Sequence, residues 1–251
     1  MKPCTQRGIV EITIINRSHA YPHRRAYRFV KRLMDLGICL LAVPAVLPLL
    51  LVCALAVILD SRGPAFFVQQ RVGKGGRLFW MVKFRTMHYR LDDSAHRTFM
   101  KAFVKGDLDE HRTAGSAGCR VFRKSAPADN RDGQVFKPAC ASQITRVGRV
   151  LRKASLDELP QLWNVLRGEM SLVGPRPNVA WEVEEYQSWH NERLEVLPGI
   201  TGLAQVRGRS GICFDNIAEY DIEYIENMNL LLDLSILWRT VSLVFAQKGV
   251  G

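Results

Sequence analysis

Two adjacent carboxylates, Asp157 and Glu158, stand where the sequence is densest in groups able to do chemistry: LRKASLDELPQLWNVLRGEMSLVGPRP, from Leu151 to Pro177. Arg152 and Lys153 precede them, and Arg167 and Arg176 follow. Pro160 fits the first turn of a helix and not its interior, so a helix is expected to start close to Asp157. Leu159, Leu162, Trp163 and Leu166 would then form its buried face, with Gln161 and Asn164 elsewhere. A helix N-terminus ringed by arginines binds phosphate, and a carboxylate held there can coordinate Mg²⁺ or attack phosphorus. Two such carboxylates let one attack while the other holds the metal that neutralises a diphosphate. The same residues also suit plain architecture. Ser155 and Glu158 have capping-box spacing, and Asp157 in the first turn complements the helix dipole. Local pattern alone leaves both readings open.

Other elements must position this pair. In Val173-Gly174-Pro175-Arg176-Pro177, two prolines stiffen the backbone around one guanidinium, a fork-shaped phosphate donor held at low entropic cost. Upstream, Ala65-Phe66-Phe67-Val68 and Phe79-Trp80-Met81-Val82 flank Gly73-Lys74-Gly75-Gly76, which reads as a β-hairpin around a glycine-rich turn. Those glycines lack the spacing of a P-loop or dinucleotide fingerprint, and no helix follows them.

Between Asp35 and Asp60 lie 24 residues without a charge, Leu36 to Leu59. A straight helix of that length reaches about 36 Å, enough for a bilayer core of about 30 Å. Yet Arg24, Arg25, Arg28, Lys31 and Arg32 precede the run, and Arg62, Arg71, Lys74 and Arg77 follow it. The positive-inside rule holds both flanks in the cytoplasm, which one spanning helix cannot satisfy. Pro44 and Pro48 each remove a backbone donor, so the helix is expected to bend there and re-enter the same leaflet. Lys31 and Arg32 would anchor its entry at headgroup level, their stems snorkelling.

The 251 residues carry a net charge of +11 with 47% hydrophobic residues, which fits a packed domain with an anionic partner. Nucleic acid, anionic lipid and phosphorylated small molecules all qualify by charge; a nucleic-acid recognition motif is absent. The six cysteines form no CxxC pair, so neither a zinc site nor a disulfide framework is expected. Ile9 to Ile15 reads as a short strand. From about 92 to 141 the patterning weakens into a variable insertion, with His96 and His111 lacking partners at metal-ligand spacing. Tyr220 to Phe245 carries two amphipathic segments. Leu234, Leu237, Val241, Val244 and Phe245 recur at helical spacing, a stripe that suits either a core or a membrane interface.

Taken in order, several blocks resemble the bacterial sugar transferase family, the monotopic polyprenyl-phosphate phosphoglycosyl transferases. They are Lys31-Arg32 with Asp35, the apolar run, Gly63-Pro64-Ala65-Phe66-Phe67, Gln69-Gln70-Arg71-Val72-Gly73, Lys83-Phe84-Arg85-Thr86-Met87 and Thr145-Arg146-Val147-Gly148-Arg149. Ser155 to Pro177 and Pro198 to Val206 complete the series. The resemblance implies a helix-rich α+β fold with a kinked re-entrant membrane helix, interfacial amphipathic helices and a small β-hairpin. Residues 1–30 would be a basic lead, 31–60 the membrane helix, and 61–251 a catalytic domain on the cytoplasmic face of the bacterial inner membrane. The implied reaction moves a sugar phosphate from a UDP-sugar to polyprenyl phosphate, such as undecaprenyl phosphate, with release of UMP. Asp157 would be the covalent nucleophile and Glu158 the Mg²⁺ ligand. Arg152 and Arg176, with Lys83 and Arg85 from their shared block, would bind phosphate and substrate. Where the family has Ser-Pro at the break, this chain has Leu47-Pro48, with Pro44 added. The donor sugar and a homodimer are left open.

Overall fold

The apolar run lies inside α1, a 36-residue helix from Arg25 to Asp60 that contains both Pro44 and Pro48. This computed structural model describes residues 25–88, 94–105, 143–208 and 213–246. The strand expected at 9–15, His111 and most of the 92–141 insertion lie outside those residues; α2, Ser94–Lys105, is the described part of the insertion.

Both ends of α1 are tied to the rest of the molecule. Near its start, the Asp35 carboxylate accepts from the Ser171 hydroxyl at 2.7 Å and from the Leu172 amide at 3.3 Å. Arg32 donates to the carbonyls of Val165 and Leu166. At the other end Cys53 and Val57 pack on Phe84 and Leu151. Asp60 accepts from the Val147 amide at 2.9 Å, placing an anion on the first turn of α3, Arg146–Lys153. Between these docks, residues 40–52 include no buried side chain. Leu41, for instance, is 84% exposed. The helix thus starts earlier than the expected residue 31 and holds the body at two places with a bare apolar middle.

The hairpin forms as expected and runs longer than its apolar cores. Strand β1, Phe66–Val72, pairs antiparallel with β2, Leu78–Phe84, from Phe66↔Phe84 to Val72↔Leu78. Gly75 takes the left-handed backbone the turn requires, φ 63°. Directly opposed residues share a face, so Phe67, Gln69 and Arg71 lie with Lys83, Met81 and Phe79. A short parallel pair, β3 (Ser171–Val173) with β4 (Gly199–Thr201), runs through the main core. Gly199 is required there, because a Cβ would lie 2.1 Å from the Gly174 nitrogen.

The remaining elements are α4 (Leu162–Arg167), α5 (Ala180–Val183), α6 (Leu203–Arg207), α7 (Phe214–Asn227) and α8 (Leu230–Phe245). Val165, Met170, Leu172, Tyr224, Ile225 and Ile236 pack together as the principal core. Helix α8 enters it through Ile236, while Leu234, Trp238 and Val241 are exposed. Of the expected stripe, Leu234 and Val241 face outward and Leu237 packs partly on the core, while the buried line runs through Asp233 and Ile236.

Candidate active site

The acidic pair sits on a 3₁₀ segment, Leu156–Gln161, and α4 begins only at Leu162. The α-helix expected to start near Asp157 is delayed. Pro160 withholds a donor that the opening turn would use, and the chain winds more tightly until it has passed. The capping box is not formed. Ser155 has a left-handed backbone, φ 55°, and its side chain makes no cap. The Glu158 carboxylate instead meets Arg176, with Nη2 to Oε1 at 2.9 Å.

The buried face of this stretch also differs from the expected one. Trp163 is 58% exposed, whereas Gln161 and Asn164 are buried. Hydrogen bonding explains Asn164: its Nδ2 donates to the Trp80 carbonyl at 2.7 Å and to Glu169 at 2.8 Å. Its Oδ1 accepts from the Val82 amide at 3.2 Å. One amide side chain thereby pins the start of α4 to β2. The 3₁₀ segment is held against the strand that carries Lys83.

Four cations close around the pair. Asp157 is half-buried; burial and then Glu158 push its carboxyl above the usual range, opposed by Lys83, Arg152 and Arg176. Lys83 projects from the hairpin face described above, 5.1 Å over the Phe67 ring. Burial, then the charges of Arg71 and Arg176, push its ammonium down to about 8, while Asp157 pulls it back up. Arg152 reaches the Thr86 hydroxyl through Nε at 2.8 Å. Arg176 is raised above its ordinary value, chiefly by Glu158.

Arg71 completes the ring, and no sequence motif singled it out for this role. Its Nη1 donates to the Pro177 carbonyl at 3.2 Å, its Nη2 to Gln69 at 2.7 Å, and Glu182 lies 3.9 Å away. Burial above all lowers it to about 10, with Arg176 adding repulsion and Glu182 opposing. The signal was available: strand alternation places Arg71 on the face of Lys83 once the hairpin register is fixed. Behind Arg176, Arg193 is buried against Asp221 at 2.7 Å and donates to the Arg176 carbonyl at 3.4 Å. The rigid Pro-Arg-Pro turn is thus braced from both sides.

The remaining candidates lie elsewhere. Arg85 turns away from Lys83 and donates to the carbonyls of Ser61 at 2.7 Å and Arg62 at 3.0 Å, closing the chain after α1. Lys31 pairs with Asp233 at 3.0 Å and Arg32 closes α4, so both hold α1 to the body. Pro44 and Pro48 sit in the bare middle of α1.

Among the described residues no three His, Cys, Asp or Glu side chains gather as a metal cluster. Two adjacent carboxylates are nonetheless what Mg²⁺ takes from a protein when substrate phosphates and water supply its other oxygens. Asp157 and Glu158 fit that mode.

A carboxylate pair set among Lys83, Arg71, Arg152 and Arg176 has the chemistry that suits anionic, phosphate-bearing molecules. The chain belongs to the bacterial sugar transferase family, whose pattern it matches over residues 26–247. It is 40% identical over 220 residues to the UDP-glucose:undecaprenyl-phosphate glucose-1-phosphate transferase of Caulobacter vibrioides, covering 84% of this chain and 68% of that protein. With the undecaprenyl-phosphate galactose phosphotransferase of Salmonella typhimurium it shares 36% identity over 226 residues, 90% of this chain and 42% of that one. The exopolysaccharide production protein ExoY of Sinorhizobium fredii is 36% identical over 220 residues, 87% of either chain. Several curated relatives are thus more than twice the length that this chain matches.

Proposed function

We propose that this protein transfers a sugar 1-phosphate from a UDP-sugar to a polyprenyl phosphate, undecaprenyl phosphate in particular, and releases UMP. The product would be the first lipid-linked sugar of an exopolysaccharide or glycoconjugate. The observation that carries this is Asp157, a half-buried carboxylate facing Lys83, Arg152 and Arg176, in a chain whose relatives are named for that transfer. In the first step an Asp157 oxygen attacks the β-phosphorus, the one bearing the sugar. The bond from that phosphorus to the oxygen bridging it to the α-phosphate breaks, and UMP leaves with the electron pair. A phosphosugar remains on Asp157 as an acyl phosphate. A phosphate oxygen of the polyprenyl phosphate then attacks the same phosphorus, and the Asp157 carboxylate departs. Lys83, Arg71, Arg152 and Arg176 hold the anionic oxygens throughout. Glu158 would hold Mg²⁺, which supplies charge neutralisation to the diphosphate when bound.

The pH dependence follows from the two shifted groups. Asp157 must be ionised to attack, and burial raises its pKa, so activity should fall on the acid side sooner than for an exposed carboxylate. Lys83 loses its proton near 8, so activity should fall again as pH rises through that value. UMP release measured with Mg²⁺, undecaprenyl phosphate and a panel of UDP-sugars should trace this bell. Lys83→Arg, charged at every pH used, should retain release at pH 9 relative to pH 7. Absence of UMP from every donor would remove the transferase reading; an unchanged alkaline limb in Lys83→Arg would remove Lys83 from it.

We further propose that α1 is re-entrant and leaves the catalytic body on the cytoplasmic face of the inner membrane. Support comes from its two docks on one body, the bare stretch 40–52 and the two prolines within it. In a background freed of native cysteines, Ala26→Cys and Arg62→Cys should both react with an impermeant thiol reagent from the cytoplasmic side only. Labelling on opposite sides would mean a spanning helix.

A further inference from the structure

A cavity lies away from the acidic pair, between the start of α1, the hairpin turn and the end of α7. It measures about 190 Å³ and is open on one side. Val173, Val196, Leu197 and Met228 give it an apolar lining, and its polar lining includes Tyr27, Tyr224, Asp35 and Glu195. Four cations line it: Arg28, Lys31, Arg32 and Lys74. Two of these are already engaged, Lys31 with Asp233 and Arg32 with the end of α4.

Arg28 and Lys74 differ. Neither side chain makes a hydrogen bond or ion pair with a described residue, and they come from elements 46 positions apart in the sequence. Burial, then the charges of Arg28 and Arg77, lower the Lys74 pKa, with Glu195 alone acting the other way. Four cations thus meet two carboxylates in this lining, Glu195 and the Asp35 already bonded to Ser171 and Leu172, which leaves a net positive charge. Such an arrangement costs stability unless an anion enters. Position limits what that anion can be. Arg28 is followed at once by Phe29, Val30 and Leu33, 66%, 43% and 53% exposed, and then by the apolar run. The mouth of the cavity thus lies where exposed apolar surface gives way to charge, the depth of lipid headgroups.

We infer that this cavity binds a phosphate group through Arg28 and Lys74, carried into it by an anionic membrane lipid. The occupied site would join α1 to the hairpin turn across a gap that the protein alone leaves open. It is separate from the chemistry at Asp157 and stands whether or not that carboxylate is a nucleophile.

The test compares the apparent melting temperature of the purified full chain in neutral detergent with added phosphatidylglycerol, phosphatidylcholine or inorganic phosphate. Phosphatidylglycerol well above its dissociation constant should raise it by about 5 °C or more in the wild type. The double variant Arg28→Gln/Lys74→Gln, which breaks no bond with a described residue, should lose that rise. Lys101→Gln, a surface residue paired with Glu185, should keep it. A rise with inorganic phosphate alone, also lost in the double variant, would confirm the phosphate site and make its source soluble. An equal rise with phosphatidylcholine, no rise with any addition, or a rise that survives in the double variant would overturn the inference.

Discussion

Asp157→Asn should reduce UMP release on the order of 10⁴-fold while the melting temperature stays within a few degrees of wild type. The amide keeps the size of the side chain and removes the anionic oxygen that would bond to phosphorus. Its folded-state cost should be small, because no described residue hydrogen-bonds the Asp157 side chain and burial opposes its charge in the first place. Glu158→Gln tests the neighbouring role. It removes the negative charge that meets Arg176 and leaves the nucleophile in place, so it should lower activity and raise the Mg²⁺ concentration needed for it. A loss of activity in Asp157→Asn matched by an equal loss of stability would mean that the residue is architectural.

The second large effect concerns the clasp that holds α1. Asp233 on α8 is fully buried, and three donors converge on it: Tyr27 at 2.7 Å, Lys31 at 3.0 Å and Tyr224 at 2.7 Å. Burial, with Asp233 beside them, raises both phenols well above their ordinary value and keeps them protonated as donors. Asp233→Asn would leave the Lys31 ammonium without its counter-charge and turn one amide N–H toward a donor. Removing one partner of a buried ion pair costs about 3–5 kcal/mol. For a chain of this size that corresponds to a fall in melting temperature on the order of 10 °C. The start of α1 should also become more open to proteolysis and to amide exchange. An unchanged melting temperature would show that the core around Ile236 holds α8 and α1 together without the clasp.

How far the sequence revealed this arrangement depends on what each feature needs. The hairpin was legible because alternation and a glycine turn are local signals, and the acidic pair because two carboxylates among arginines are conspicuous. The exact winding was not. A helical period of 3.6 carried through Pro160 predicts the wrong face, because the chain turns about every three residues there. That change of phase accompanies the burial of Gln161 and the exposure of Trp163. Asn164 could not be recognised as a strap, since its partners on β2 lie more than eighty positions away. Arg85 illustrates the opposite limit. It shares a block with Lys83 and the same charge, and strand alternation would put it on the same face two positions on; β2 ends at Phe84, however, and only the path of the chain after α1 reveals the carbonyls it serves. Family resemblance named the block and could not divide its two cations between chemistry and architecture.

Intact-mass spectrometry of the full chain, mixed with Mg²⁺ and a reactive UDP-sugar and quenched quickly with no lipid acceptor present, is the most direct measurement of the central proposal. A mass increase equal to one sugar phosphate should appear in the wild type, vanish in Asp157→Asn, and map to the peptide containing Leu156–Gln161. With acceptor added, the adduct should discharge. UMP release at full rate with no adduct at any quench time, or an adduct of the same size in Asp157→Asn, would contradict a covalent role for this carboxylate.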